Sequence, residues 1–299
     1  MRYISLRIKI VRCVKRLFDI KNFTLFCRKR KQRIEKLLYR KKYTSDDIIN
    51  ILKQSGVKPG HPVIVHSAYS NLYNYTGTAD ELIDKLIEYL GPDGTLCMPA
   101  FPYDKRNPNN VFDVVNSKSA AGYLTEVFRK RPGVVRSLNQ LHSVCALGKD
   151  AEKIVGSHHK SKICFDDNSP FYIIGELDGY IVNLGMPKWY VGTGAHVCEA
   201  LLYDKVDYFK NKFSRKVTFT YFDNNGNTIK HDMLTGSIKP YVRKKSTKLF
   251  DSYFDKSNYR RTRISNMWVT CYDMKYLISK LTELALQGKT IYRYPKFAK

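Results

Sequence analysis

The apolar positions of the 299-residue chain change their period along its length, and each change marks an element. From Val63 an apolar run stops abruptly at His66-Ser67, a polar loop follows, and Leu82, Ile83, Leu86 and Leu90 then recur at helical spacing. Thr78 and Glu81 carry the Thr-x-x-Glu signature of a capping box at the start of that helix. Pro92-Asp93-Gly94 turns the chain into a second apolar run, "TLCMP". Strand, helix and strand between Val63 and Phe101 predict a βαβ unit, with neighbouring parallel strands and a right-handed crossover. Open α/β sheets place ligands at the carboxyl ends of such strands, where His66 and Ser67 fall.

The alternation extends both ways. "TSDDIINILKQSG" opens on Thr44, puts Asp46 and Asp47 in its first turn and stops at Gly56, which predicts a helix and the start of a folded domain. "SAAGYLTEVFRKRPG" and "DAEKIVG" read as helices, "HSVCALG" and "YIVNLG" as strands, and "TGAHVCEALLY" as a further helix. "KVTFTYF", the turn Asp223-Asn224-Asn225-Gly226 and "NTIKHDM" predict an antiparallel hairpin. "YDMKYLISKLTELALQGK" supplies a closing helix that ends at Gly288. The expected fold is α/β: a mostly parallel sheet flanked by helices, with an antiparallel β insertion at about 205–265, in one domain spanning 43–299.

Charge adds a separate segment. The formal net charge is +25, and residues 1–42 hold much of that excess with Asp19 and Glu35 as their only acids. Ile4, Ile8, Val11 and Val14 to Phe18 can share one helical stripe flanked by Lys and Arg. Such an arm is either a solvated helix or tail, or an anchor for an anionic lipid surface or polyanion. No stretch reaches the roughly 18 apolar residues of a membrane-spanning helix, and the basic start lacks the features of a secretory signal, so a cytoplasmic protein is expected. The seven cysteines (13, 27, 97, 145, 164, 198 and 271) show no zinc-type spacing, and reduced, packed thiols are expected at Cys97 and Cys145. No metal site is expected.

Candidate chemistry clusters at strand ends. Gly192-x-Gly194 lacks the third glycine of a dinucleotide fingerprint, and neither a phosphate loop nor a Gly-x-Ser-x-Gly elbow occurs. What remains is His66-Ser67, Arg136-Ser137, His142-Ser143 and Thr193-x-x-His196-x-x-Glu199. At three-residue spacing on a helix, Thr193, His196 and Glu199 share nearly one face. A carboxylate beside an imidazole fixes its tautomer and makes a better-placed proton acceptor. The structural alternative is a packed His196 bonded to a carbonyl, with Glu199 in solvent. For His66-Ser67 the alternatives are a bonded turn and a cradle for a phosphate or thioester. His158-His159 reads as an exposed helix end, and His61 and His231 as loop residues.

Four blocks occur in a specific order: "VIVHSAYSNL…TGTADELIDKLIEYLGPDGTLCMPAF", "VVRSLNQLHSVCALGKDAE", "NSPFYIIGELDGYIVNLG" and "TGAHVCEALL". Together they resemble the aminoglycoside 3-N-acetyltransferase family over roughly residues 45–210. The resemblance implies an enzyme that moves an acetyl group from acetyl-coenzyme A to an amine of a sugar-like acceptor, without a metal. It implies His196 as the base with Glu199 orienting it. It places His66, Ser67, Tyr69, Arg136, Ser137 and Ser143 along the coenzyme, and His142 and Thr193 along the acceptor. The chain departs from the family's pattern at Arg136-Ser137-Leu138-Asn139-Gln140, where Arg-Ser-x-His-Pro is usual. It departs again at Ser67-Ala68-Tyr69, in place of Ser-Ser-Leu, and at "VFDVVNSKSAAGY", in place of an acidic stretch.

Charge bears on the acceptor too. Aminoglycosides are polycations, and a strongly basic protein repels them at long range. A basic protein favours anionic acceptors such as nucleotide-linked amino sugars, lipid-linked glycans or acidic polysaccharide. The expectation is therefore an amino-sugar N-acetyltransferase of surface-glycan synthesis; an aminoglycoside 3-N-acetyltransferase conferring antibiotic resistance is the alternative. A nucleic-acid-binding protein on an enzyme-derived fold is a second alternative, given 22 tyrosines and the basic arm. Against it, basic and aromatic residues do not interleave as in a known RNA or DNA module.

Overall fold

A computed structural model describes residues 23–236 and 246–292. The chain divides into two compact units, Met1–Lys42 and Tyr43–Lys299. In the first, the helix Phe23–Leu38 is described; the expected stripe from Ile4 to Phe18 lies outside the described residues. Ile34, Leu37 and Leu38 on that helix are exposed.

The second unit is built on two sheets. The strands are β1 (Pro62–Ser67), β2 (Thr95–Pro99), β3 (Phe112–Asp113), β4 (Val135–Arg136), β5 (Val144–Gly148), β6 (Tyr180–Leu184), β7 (Arg215–Phe222), β8 (Thr228–Thr235), β9 (Tyr259–Ile264) and β10 (Met267–Asp273). Seven of them form one sheet in the order β4-β5-β2-β1-β6-β10-β9, and β3-β7-β8 form another. The centre is parallel, as the βαβ pattern predicts: Ile64 lies opposite Cys97 of β2 and Ile181 of β6. The pairs on both flanks, β2 with β5 and β6 with β10, are antiparallel. Alternation of strands and helices along the chain does not distinguish those directions, because they depend on distant pairing. The expected hairpin is β7-β8, whereas β9 joins the main sheet and so lies outside an insertion reaching 265.

β1 is buried on both faces, which is why it reads as a continuous apolar run. Val63 and Val65 pack with the helices Ser45–Gln54, Ala79–Leu90 and Tyr123–Arg129. Ile64 packs on the opposite face with Pro170–Glu176, Val197–Leu201 and Met274–Leu286. Thr44 and Asp47 form a complete capping box, worth about 1 kcal/mol. Thr78 accepts the Glu81 amide at 3.1 Å, but the Glu81 carboxylate reaches Ser45 Oγ at 2.9 Å, so only half of the second expected box forms. That carboxylate ties two helices together instead. Cys97 and Cys145 are buried, as expected of packed thiols.

Candidate active site

Side chains alternate along a strand, so His66 leaves β1 on the Ile64 face and Ser67 on the other. His66 Nε2 lies 2.6 Å from Thr193 Oγ1 and accepts the Thr193 amide at 3.3 Å. Burial pushes its pKa down to about 3, so the ring is neutral. With Nε2 accepting, the ring proton sits on Nδ1. His66 thereby pins the 3₁₀ turn Thr193–His196 above the carboxyl ends of β1 and β6. The crossover to β2 leaves β1 on one side and β6 lies on the other, the arrangement that opens a crevice at strand ends.

Gly192 and Gly194 let that turn approach the sheet. Gly192 has φ +101°, and a Cβ there would meet Ile181 Cγ2 at 2.9 Å. A Cβ on Gly194 would meet Met274 Sδ at 2.5 Å. Their role is close packing rather than phosphate binding.

The turn delivers His196 to a network of four side chains. His196 Nδ1 lies 2.9 Å from Glu199 Oε1, and a carboxylate only accepts, so Nδ1 carries the proton and the lone pair sits on Nε2. Lys212 Nζ donates to the other oxygen, Glu199 Oε2. It also donates to Tyr292 Oη at 2.8 Å, which lies 3.2 Å from His196 Nδ1. Glu199 is 1% exposed. Burial alone would raise its pKa, but electrostatic coupling to His196 and to the Lys212 ammonium, with the hydrogen bonds both donate, outweighs it and holds the carboxyl at about 2. This differs from the structural alternative of a solvated Glu199. The helix spacing did bring the pair together.

His196 lines a cleft of about 460 Å³ together with His142, Phe165, Lys105 and Arg106. The Phe165 ring lies 4.6 Å from that of His142 and 5.0 Å from that of His196. Asn139 Oδ1 accepts the His142 amide at 3.0 Å and fixes that corner. Burial, then the charges of Lys105 and His196, push the His142 pKa well below its ordinary value, so this ring is neutral. Its Nδ1 has no partner among the described residues.

The remaining expected site residues lie away from the cleft lining. Arg136 is buried and donates to the carbonyls of Val114 at 3.2 Å, Ser117 at 2.6 Å and Ala100. It braces the segments on both sides of β3 instead of presenting its charge to a ligand. Ser137 is buried, accepts the Val144 amide at 2.9 Å and bonds His158 Nδ1 at 2.9 Å. Ser143 is fully buried behind His142 in sequence. Ser67 and Tyr69 are half-buried at the end of β1, with the Tyr69 ring 5.2 Å from that of Tyr123.

Two histidines read as exposed or looped are interior. His158 is fully buried, bonding Cys164 O at 3.2 Å through Nε2, and His231 is a β8 residue bonding Ser161 O at 2.7 Å. Lys212 and Tyr292 were missed, because neither stands in a motif and Tyr292 lies 96 residues from His196. Among the described residues no group of three or more His, Cys, Asp or Glu could hold a metal ion, and no helix is long and apolar enough to cross a membrane.

Known proteins resemble this chain in sequence and in fold. The family model for aminoglycoside 3-N-acetyltransferase matches residues 64–285. An SPbeta prophage-derived aminoglycoside N(3')-acetyltransferase-like protein of Bacillus subtilis, YokD, is 27% identical over 163 residues, 48% of this chain and 60% of that protein. Aminoglycoside N(3)-acetyltransferase IV of Salmonella is 31% identical over 142 residues, 47% of this chain and 52% of that protein. The aligned stretch thus spans between half and three fifths of these relatives. In fold, the solved structure of AAC-IIIb in a binary complex with CoASH matches with a TM-score of 0.66 at 20% identity, over 85% of this chain and 99% of that one. With its family model covering most of the folded unit, the chain belongs to the aminoglycoside 3-N-acetyltransferase family.

Proposed function

We propose that this protein transfers an acetyl group from acetyl-coenzyme A to an amine of an amino-sugar acceptor, with His196 as the general base. The observation that carries this reading is the His196–Glu199–Lys212–Tyr292 network at the wall of the cleft. Coenzyme A supplies the activated acetyl as a thioester. His196 Nε2 takes a proton from the acceptor amine as its nitrogen attacks, and Glu199 stabilises the imidazolium that forms. The new bond is C–N, the broken bond is C–S, and the sulfur leaves as the thiol after protonation. His142 is neutral and lines the cleft beside Phe165, which suits it to donate to the thioester oxygen as charge builds there. The apolar Phe165 ring beside it fits a small acyl group. We assign Ser67 and Tyr69 to the remainder of the coenzyme, Thr193 to holding the acceptor side of the turn, and His66, Arg136, Ser137 and Ser143 to support.

Free-thiol release from acetyl-coenzyme A, measured against amino sugars, nucleotide amino sugars and aminoglycosides, tests this. No release with any amine would remove the reading. We favour an anionic amino-sugar acceptor in surface-glycan synthesis, on the strength of the net charge of +25. Relatives named for aminoglycosides support antibiotic resistance equally, and preference for an aminoglycoside in the panel would select it. We also propose that the arm lies on an anionic membrane surface. Exposed Ile34, Leu37 and Leu38 share the helix Phe23–Leu38 with six basic residues and the single acid Glu35.

A further inference from the structure

The cleft beside His196 is electrostatically one-sided. Lys105, Arg106, Lys212 and Arg215 line it, and among the described residues no Asp or Glu does. The segments 237–245 and 293–299, which follow the lining residues Gly236 and Tyr292, contain no Asp or Glu in sequence. Lys212 is committed to Glu199 and Tyr292. Lys105, Arg106 and Arg215 form no ion pair among the described residues; the Lys105 ammonium instead stands 3.6 Å from the centroid of the Phe101 ring. Three uncompensated cations around one cleft repel a polycation and attract a compact, multiply charged anion.

The loop that carries two of these cations is held in place. Gln140 is 1% exposed, and its side-chain amide donates to the carbonyls of Asn107 at 2.8 Å and Lys105 at 3.3 Å. The Asn107 amide closes the loop on Asp104 O at 2.8 Å. Gln140 stands where the family pattern usually has proline, which has no side-chain donor. The departure therefore anchors the basic loop, one residue from the Asn139 that fixes His142.

We propose that the acceptor is a phosphorylated amino sugar, and that Lys105, Arg106 and Arg215 hold its phosphoryl group while His196 serves its amine. The inference rests on the acetyltransferase reading above and narrows its acceptor. A phosphoryl group presents two negative charges and three acceptor oxygens, matching two planar guanidinium forks and one ammonium. Coenzyme A also carries phosphates, so the test must tell the two sources apart.

The test uses the full chain with glucosamine 6-phosphate, UDP-glucosamine, glucosamine and an aminoglycoside as acceptors, reading free thiol and the KM for acetyl-coenzyme A separately. The first two acceptors distinguish a terminal phosphate from a bridging diphosphate. One of them should exceed glucosamine by about tenfold or more in kcat/KM, the usual scale of a charged hydrogen bond. Arg106→Glu and Arg215→Glu, both at exposed side chains, should erase that preference with little change in the KM for acetyl-coenzyme A. Preference for glucosamine or the aminoglycoside overturns the proposal. So does a raised KM for acetyl-coenzyme A with acceptor preference intact, which would give the cations to the coenzyme. If no acceptor is turned over, calorimetry with glucose 6-phosphate still decides. Binding that Arg106→Glu abolishes supports the phosphoryl site and removes only acetyl transfer; absence of binding removes the site.

Discussion

Lys212 grips the oxygen of Glu199 that His196 leaves open, so one buried carboxylate serves an imidazole on one side and a fixed cation on the other. Replacing Lys212 with methionine leaves burial, which raises the Glu199 pKa, opposed by His196 alone, so that pKa must climb from about 2. A carboxyl whose folded pKa lies below its ordinary 4.5 stabilises the fold above that pH and loses the contribution as pH falls through about 2. Lys212→Met should therefore be less stable than the parent near neutrality, by about 3 kcal/mol on the scale of a broken buried ion pair. The gap should close as pH falls from 4.5 towards 2. Denaturant titrations at the two ends measure it, and a gap independent of pH would show that the pair does not hold Glu199 ionised.

His196→Ala should retain the fold and lower turnover by about 10² or more. Glu199→Gln should orient the ring less well and, because Lys212 then loses its counter-charge, should also lower the melting temperature. An unchanged rate in His196→Ala removes the base.

The pH dependence of anion binding should report Lys105. Burial pulls its ammonium down to about 8, with Arg106 adding to the shift and Cys164 opposing it. His142 also faces it across the cleft and is neutral in this range. Affinity for glucose 6-phosphate, which has no amine to titrate, should hold near pH 7 and fall about tenfold as pH rises beyond 8. Lys105→Arg should flatten that fall. The same slope in the arginine variant would assign it elsewhere.

Ser67→Leu tests the coenzyme assignment at the end of β1. Calorimetry should show weaker coenzyme A binding while the melting temperature stays near that of the parent. The reverse pattern, lost stability with intact affinity, would make Ser67 a purely structural turn residue.

The arm calls for a different assay. On an anionic surface its charges would act within a Debye length of the lipid, so such binding must fade with salt. The full chain should sediment with anionic vesicles at low salt and leave them at high salt, while a chain beginning at Tyr43 should stay in solution and still acetylate a small acceptor. Indifference of the full chain to anionic vesicles at every salt concentration would end the membrane reading.

Local patterns carried much of this structure. The apolar run ending in His66, the helix behind Thr78 and the run "TLCMP" gave the parallel centre because all three are short-range signals. His196 and Glu199 met because helical spacing is local as well. Strand direction at β5 and β10 was not legible, since it depends on partners far along the chain. Neither was the interior of His158, whose polar neighbours suggest solvent until Cys164 O and Ser137 Oγ are seen to satisfy both nitrogens. Arg136 shows the converse: a cation in a family block that folding spends on carbonyls.

The seating of the His196 turn has a consequence for when the protein can work. Gly194 rests against Met274, and Tyr292 reaches back 96 residues to the imidazole. Ribosomes add about 5–20 residues each second, so His196 emerges roughly 5 to 20 s before the hydroxyl that completes its surroundings. A nascent chain can assemble the parallel centre of its sheet while its histidine still lacks a seat. The surroundings of His196 are complete only with the closing segment, so a molecule clipped ahead of Met274 would keep the His66 and Glu199 contacts of the turn but lose its Met274 seat and the Tyr292 hydroxyl.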